Sequence, residues 1–288
     1  MPRRDPFLRR TATPAAVAPW AGELGRTLGG LLRSYRPGGP VDPRMRERVI
    51  LAVTEVNGCR YCAWIHGSWS EFLGGVDPAE GEEVVLAFAR DSAEAGRPLD
   101  PAPLRAVLPP AAVATVRATV AQIEVSNLVG NTADGLLARL TRRRPLEPLA
   151  AVREAATVAL AMPVAVPLLA WAGAMKVATR LAPGPPIIEL PEPGEANLLV
   201  DLLAQAAPTF LSGAAARTAV LGWPFTVTIA LRTGLTAATV RFGRGRLAIL
   251  NGVQGDAWLV VEGDIEPLLR AASGALVREI GTIRIRPS

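Results

Sequence analysis

The sequence predicts a multi-domain chain, an all-α helical domain followed by a small α+β domain, on three observations. Residues 21–182 place apolar side chains at three- and four-residue spacing, the period of amphipathic helices. Residues 183–194 are crowded with chain breakers, Pro183-Gly184-Pro185-Pro186 and Pro191-Glu192-Pro193-Gly194, which read as a linker. Residues 195–288 then alternate short β-rich runs with two helical stretches, the grammar of an α+β unit.

Each element follows from local chemistry. Residues 1–20 hold Arg3, Arg4, Arg9 and Arg10 but are interrupted by Pro14 and Pro19. Lacking the continuous apolar run of a secretory signal, they read as a flexible arm, with a cytoplasmic location as the default. Asp42-Pro43 starts a helix, because aspartate accepts from free N–H groups and proline fits the first helical position. That helix covers 43–56, with Met45, Val49, Ala52, Val53 and Val56 on one face, and Asn57-Gly58 stops it. A second helix runs from Cys59 to about Phe72 and ends at Gly74-Gly75. Helical patterns follow over 78–95, 109–128 and 133–140, with a pair of helices between 148 and 181. Beyond the linker come a helix over 195–211, strands over 226–231, 238–242, 247–250 and 258–261, a helix over 264–273 and a strand over 282–286.

Residues 155–175 carry no charge, and their length meets the ~20 residues needed to cross a bilayer. Arginines precede them, Lys176 and Arg180 follow, and no orientation results. Two internal prolines, Pro163 and Pro167, and abundant alanine favour a buried or subunit-interface helix pair over a membrane span.

Composition narrows the function classes. With half of its 288 residues apolar and a fifth charged, the chain can build a core, which excludes disorder throughout. Lys176 is the only lysine, so the basic balance is carried by arginine. A net charge of +5 over this length is too dilute to mark a nucleic-acid partner. The Arg142-Arg143-Arg144 run reads as a solvated turn, with binding to an anionic surface as the other reading.

Cys59, Cys62 and His66 are the only cysteines and the only histidine, and all fall within eight residues. A lone C-x-x-C in so long a chain reads as redox or metal chemistry in a reducing compartment. Spacings of three and four put the three side chains on one side of a helix. In the first turn, free N–H groups and the helix dipole stabilise a thiolate. Glu47 stands ten residues before Asn57 and His66 eight after Gly58, so two helices folded back at this turn bring carboxylate, imidazole and thiols to similar heights. Ile50, Leu51 and Thr54 flank Glu47 on its face, and burial there suits general acid–base work.

Other readings stand beside this one. The cysteines could be buried small residues, His66 structural, and Glu47 solvated among Arg44, Arg46 and Arg48. Zinc could take Cys59, Cys62, His66 and Glu47 as ligands. Haem attachment is excluded because Ala63 stands where histidine is required. Trp64 and Trp69 read as packing.

The pattern Glu47, eleven residues, Cys59, two residues, Cys62, three residues, His66 resembles the AhpD-like alkylhydroperoxidase branch of the carboxymuconolactone decarboxylase superfamily. The resemblance implies a helical, AhpD-like domain that forms homo-oligomers, often trimers, and reduces hydroperoxides without a cofactor. It implies Cys62 as the peroxidatic thiol, Cys59 as the resolving thiol, His66 as the base and Glu47 as the end of the proton relay. Tyr61 occupies a position where some members have histidine, a departure that touches one relay step. The disulfide would be reset by a dithiol protein, lipoyl-bearing or thioredoxin-like. The superfamily also includes lactone-acid decarboxylases, but that chemistry requires no thiol pair.

Residues 257–274 and 281–286 weakly resemble a sterol-carrier-protein-2-like domain, which implies a lipid ligand. The competing function is therefore a lipid or hydrophobic-ligand carrier with a redox-sensing or vestigial C-x-x-C. A stabilising or oligomerising appendage is the plainer reading of the same residues.

Overall fold

The computed structural model describes residues 9–36, 38–75, 81–192, 194–234, 236–264 and 284–287. Its helices are α1 (Pro14–Ser34), α2 (Pro43–Asn57), α3 (Arg60–Leu73), α4 (Glu83–Ala95), α5 (Ala102–Val107), α6 (Pro110–Leu140), α7 (Pro148–Leu181), α8 (Leu198–Phe210) and α9 (Ala214–Leu221). Its strands are β1 (Ile187–Glu189), β2 (Val227–Thr233), β3 (Thr236–Gly243), β4 (Arg246–Asn251), β5 (Leu259–Glu262) and β6 (Arg284–Pro287). The chain divides into two compact units, Met1–Ser70 with Val76–Met175, and Glu71–Gly75 with Lys176–Ser288. A mostly helical chain with a small mixed sheet in its C-terminal part is the architecture expected at the coarse level.

In the first unit α6 is the central element, with α1, α2, α4 and α5 against it. Its core joins Trp20 of α1, Val49, Ile50 and Val53 of α2, Phe88 and Ala89 of α4, and Val116, Val120 and Ile123 of α6. The start of α2 is as expected: the Asp42 carboxylate accepts from the N–H of Arg44 at 2.8 Å and of Met45 at 3.4 Å. Gly58 closes the helix with φ +66, a left-handed conformation in which a side chain would be strained.

Four expectations are corrected here. The arm ends earlier than residue 20, since Pro14 opens α1 behind a Thr13 cap and Pro19 lies inside the helix. Proline read as a breaker is a starter when it falls at the first helical position. The two helices over 109–128 and 133–140 are one, because Gly130 continues the helix; an internal glycine costs only ~1 kcal/mol. The expected pair between 148 and 181 is likewise one helix running through Pro163 and Pro167. It is not buried: in its most apolar 18-residue stretch, of mean hydropathy 1.9, 11% of residues are buried. The helix is thus long and apolar enough to cross a membrane by length and composition.

The second unit holds a six-stranded mixed sheet in the order β1-β4-β3-β2-β5-β6. β1–β4 and β2–β5 are parallel pairs, and the remaining neighbours are antiparallel. Leu199, Val200, Ala207 and Leu221 of α8 and α9 pack with Ala238, Leu247 and Ile249 of β3 and β4. The linker over 183–194 is corrected by β1, an edge strand whose Ile188 pairs with Leu247 and packs on this core. Proline density around it hid the strand, yet an edge position tolerates nearby prolines. The expected helix over 264–273 and the start of the 78–95 helix fall largely outside the described residues, as does most of the segment that carries the sterol-carrier likeness.

Candidate active site

The site lies in the first unit. Cys59 occupies the residue before α3, and Cys62 sits in its first turn. Both are free and buried, and their sulfurs are 2.8 Å apart, in hydrogen-bond contact with each other. The Cys62 N–H also donates to the Cys59 sulfur at 3.3 Å, so this sulfur acts as the cap that accepts an otherwise unpaired helix-start N–H. The Cys62 S–H, and after it the N–H groups of Cys62 and Tyr61, pull the Cys59 thiol below its ordinary value against the opposing effect of burial. Cys62 moves the other way, because its proton is held by Cys59 and because it is buried.

The charge pattern within the pair therefore differs from the one the resemblance implies. Cys59, named there as the resolving thiol, is the one whose hydrogen-bond partners hold it below the ordinary thiol value. Cys62, named as peroxidatic, is the one that its contact with Cys59 and its burial push up. The reason is local: three donors converge on the capping sulfur.

The expected pairing of Glu47 with His66 is present. Glu47 Oε2 is 2.8 Å from His66 Nδ1, with the carboxylate 2% exposed. Arg46 Nε and Nη2 reach the other oxygen at 3.2 Å each. Arg46 is fixed in turn, donating to the Ser34 carbonyl at 2.6 Å and lying 4.5 Å from the centre of the Tyr35 ring. Glu47 is thus not a solvated residue among arginines; α2 turns it inward and pairs it with one of them. Among the described residues the hydrogen bonds join Cys59 to Cys62 and Glu47 to His66, and none joins one pair to the other. Nor, among them, does any group of three or more histidine, cysteine or acidic side chains converge as a set of metal ligands. Tyr61 accepts from Arg60 Nη2 at 2.9 Å, and the guanidinium lies 4.9 Å from the ring centre. Trp69 packs 6.1 Å from Trp171, ring centre to ring centre, in line with its reading as a packing residue.

The structure adds residues that the motif did not name. Gly130 of α6 faces the sulfur pair so closely that a Cβ there would lie 2.5 Å from the Cys59 sulfur and 3.8 Å from that of Cys62. One turn on, Asp134 pairs with Arg60 at 2.6 Å and with Arg9 at 2.7 Å, and its charge opposes ionisation of Cys59. Glu124, fully buried, accepts from Asn57 Nδ2 at 2.9 Å, and burial pushes its carboxyl up to about 7. Asn131 Nδ2 donates to the Asn57 carbonyl at 2.9 Å, tying the end of α2 to α6 beside Cys59. The signal was present in the sequence: Glu124, Asn127, Asn131 and Asp134 recur at three- and four-residue spacing as a polar stripe on an otherwise apolar helix.

The arm takes part as well. Arg9 donates to the Gly58 carbonyl at 3.0 Å, Arg10 to Asn57 Oδ1 at 2.6 Å and to the Ala93 carbonyl, and the Ala12 N–H to Thr132 Oγ1 at 2.8 Å. Residues 9–12 are thus bound across the turn that carries the cysteines rather than loose, a correction to the flexible-arm reading.

Compared with known proteins, the chain matches no family model, no curated protein and no solved structure.

Proposed function

We propose that the protein is a thiol-dependent peroxidase, an alkylhydroperoxidase-like oxidoreductase working through Cys59 and Cys62. The observation that carries this reading is the sulfur pair itself: two free thiols 2.8 Å apart at a helix start, one pulled toward thiolate and the other holding its proton. The Cys59 thiolate attacks the distal oxygen of a hydroperoxide. An S–O bond forms and the O–O bond breaks; the leaving alkoxide takes up a proton and departs as an alcohol. Cys62 then attacks the sulfenic sulfur, forming the S–S bond and releasing water. The peroxide is reduced by two electrons and the thiol pair oxidised by two. An external dithiol, lipoyl-bearing or thioredoxin-like, returns both thiols by exchange.

In this reading His66 and Glu47 manage protons near the pair, with Arg46 holding the carboxylate in place. Neither touches a sulfur by hydrogen bond, so both act from the side, and His66 is the group free to turn toward leaving oxygen or Cys62. Tyr61 contributes its backbone N–H to the Cys59 sulfur and its ring to the wall beside Gly130.

The chain is further proposed to assemble as a homo-oligomer through α7. A helix apolar on all sides and so largely uncovered requires a partner surface. Sedimentation of purified protein without detergent tests this: a discrete oligomer supports it, and a monomer that is soluble only with detergent contradicts it.

Activity is tested by steady-state reduction of cumene hydroperoxide with a dithiol as electron source. Turnover that is lost in both Cys59→Ser and Cys62→Ser supports the reading. Turnover unchanged in either variant overturns it.

A further inference from the structure

Asn57, two residues before Cys59, is fixed from three directions. Its side-chain Nδ2 donates to Glu124 Oε1 at 2.9 Å, its Oδ1 accepts from Arg10 at 2.6 Å, and its backbone carbonyl accepts from Asn131 Nδ2 at 2.9 Å. Gly58 follows, its carbonyl held by Arg9 at 3.0 Å, and Cys59 comes next. The Cys59 sulfur caps α3 by accepting from the Cys62 N–H, so what holds Asn57 sets where that cap sits.

Two of these holders belong to a buried polar face of α6. Glu124, Asn127 and Asn131 are all buried, and each keeps one side-chain atom without a hydrogen bond among the described residues: Glu124 Oε2, Asn127 Nδ2 and Asn131 Oδ1. Such a face is not what stability asks of a helix, since well-packed apolar side chains of similar size do as well or better. It points to a task at the turn it touches. Burial raises the Glu124 carboxyl to about 7 against the lowering by Asn57 and Arg10. Among the described residues Arg10, 3.7 Å away, is the charge that faces it. On α1 Glu23 is paired with Arg26 and Arg117, on α2 Glu47 is paired with Arg46 and His66, and the charged side chains within α4 are exposed. Ionised, Glu124 accepts from Asn57 and attracts the guanidinium that grips Asn57 Oδ1; protonated, it loses that attraction. The carboxylate that acts on the Cys59 thiol by charge is that of Asp134, so the route from Glu124 to the thiol runs through the turn.

We propose that Glu124 is a positioning residue for Cys59: through Asn57 and Arg10 it holds the turn that seats the sulfur at the start of α3, and its negative charge tightens that hold. The charged carboxyl is the costlier form to bury and the firmer grip on the turn. The inference rests on Cys59 being the reactive thiol of the peroxidase reading and adds a control on that thiol.

The test is the rate of Cys59 alkylation by iodoacetamide against pH, followed by mass spectrometry on the full chain. In wild type the rate is expected to fall more steeply below about pH 7 than ionisation of one thiol allows, because protonating Glu124 lets the sulfur leave its cap. Glu124→Gln keeps an acceptor for Asn57 but carries no charge. Its profile is expected to follow a single ionisation, about tenfold slower than wild type at pH 8, the scale of one lost charge-assisted hydrogen bond. Asn57→Ala is expected to slow the rate similarly, and Glu124→Gln on that background to add nothing, since residues that act through one contact are not additive. If Asn57→Ala does not fold, Arg10→Gln takes its place in the cycle. A Glu124→Gln profile that matches wild type at every pH overturns the proposal, and so does an undiminished effect of Glu124→Gln in the double variant. Stopped-flow reduction of cumene hydroperoxide by the same proteins keeps the two readings apart: if no peroxide is reduced the peroxidase reading fails, while the alkylation profiles still judge Glu124.

Discussion

The Cys62 sulfur stands 2.8 Å from the Cys59 sulfur, close enough to share a proton, so the two thiols shift each other's ionisation in opposite directions. Alkylation by iodoacetamide followed residue by residue against pH is therefore expected to modify Cys59 first, with its half-maximal rate below the ordinary thiol range. Cys62→Ala removes the donor that contributes most to this lowering, so the Cys59 profile is expected to move to higher pH. A Cys59 profile indifferent to Cys62 contradicts the coupling.

Gly130 is where a single methyl group tests the packing of the site. In Gly130→Ala the new Cβ would lie 2.5 Å from the Cys59 sulfur, so the sulfur or the helix has to shift. Overpacking costs about 1–3 kcal/mol, while alanine in place of an internal helical glycine returns up to ~1 kcal/mol, so the net loss of stability is small. Peroxide reactivity is expected to fall by about tenfold or more, because reacting atoms displaced by an ångström lose most of the benefit of orientation. Stopped-flow peroxide reduction beside a urea melt separates the two effects.

Glu47 carries a structural duty that His66 does not. Removing it in Glu47→Ala leaves Arg46, 5% exposed, without its carboxylate, and breaking one side of a buried ion pair costs roughly 3–5 kcal/mol. His66→Ala leaves the Arg46–Glu47 pair intact and is expected to cost well under half as much while lowering turnover by ~100-fold or more, the low end for a general acid–base group. Urea midpoints and kcat for the two variants check this division. Equal destabilisation by both substitutions contradicts it.

Glu124 predicts a pH dependence of stability. Its carboxyl is raised to about 7 in the folded chain against an ordinary value of 4.5, so the folded state binds more protons than the unfolded one between these limits. Stability is then full below about pH 4.5, declines as pH rises through this window, and levels off above about 7, for a total on the order of 3 kcal/mol. Glu124→Gln is expected to flatten that decline relative to wild type. Urea unfolding from pH 4.5 to 8 measures the difference, and parallel curves for the two proteins contradict the assignment.

What the sequence made legible was whatever rests on local chemistry. The Asp42-Pro43 start, the Asn57-Gly58 stop and the inward face of Glu47 all follow from caps, a left-handed glycine and three-to-four spacing, and so did the 2.8 Å contact with His66. What stayed hidden depends on partners far along the chain. Nothing local in the sequence marks Gly130 as a site residue; its role shows only where the Cys59 sulfur packs against it. Pro163 and Pro167 read as ends of two helices, although the single helix runs through both. β1 was hidden by its prolines, since among the described residues it pairs with β4 alone, about sixty residues later. Arg9 and Arg10 read as part of a flexible arm because their acceptors lie far along the chain, at the end of α2 and the turn after it, on α4 and on α6.

The most direct measurement mixes fully reduced protein with one equivalent of cumene hydroperoxide and follows both thiols by quenched alkylation and mass spectrometry. The account predicts that Cys59 and Cys62 disappear together into an intramolecular disulfide, with one cumyl alcohol formed per disulfide, and that Cys62→Ser instead accumulates a sulfenic acid on Cys59. Both thiols remaining free while the peroxide persists would contradict it.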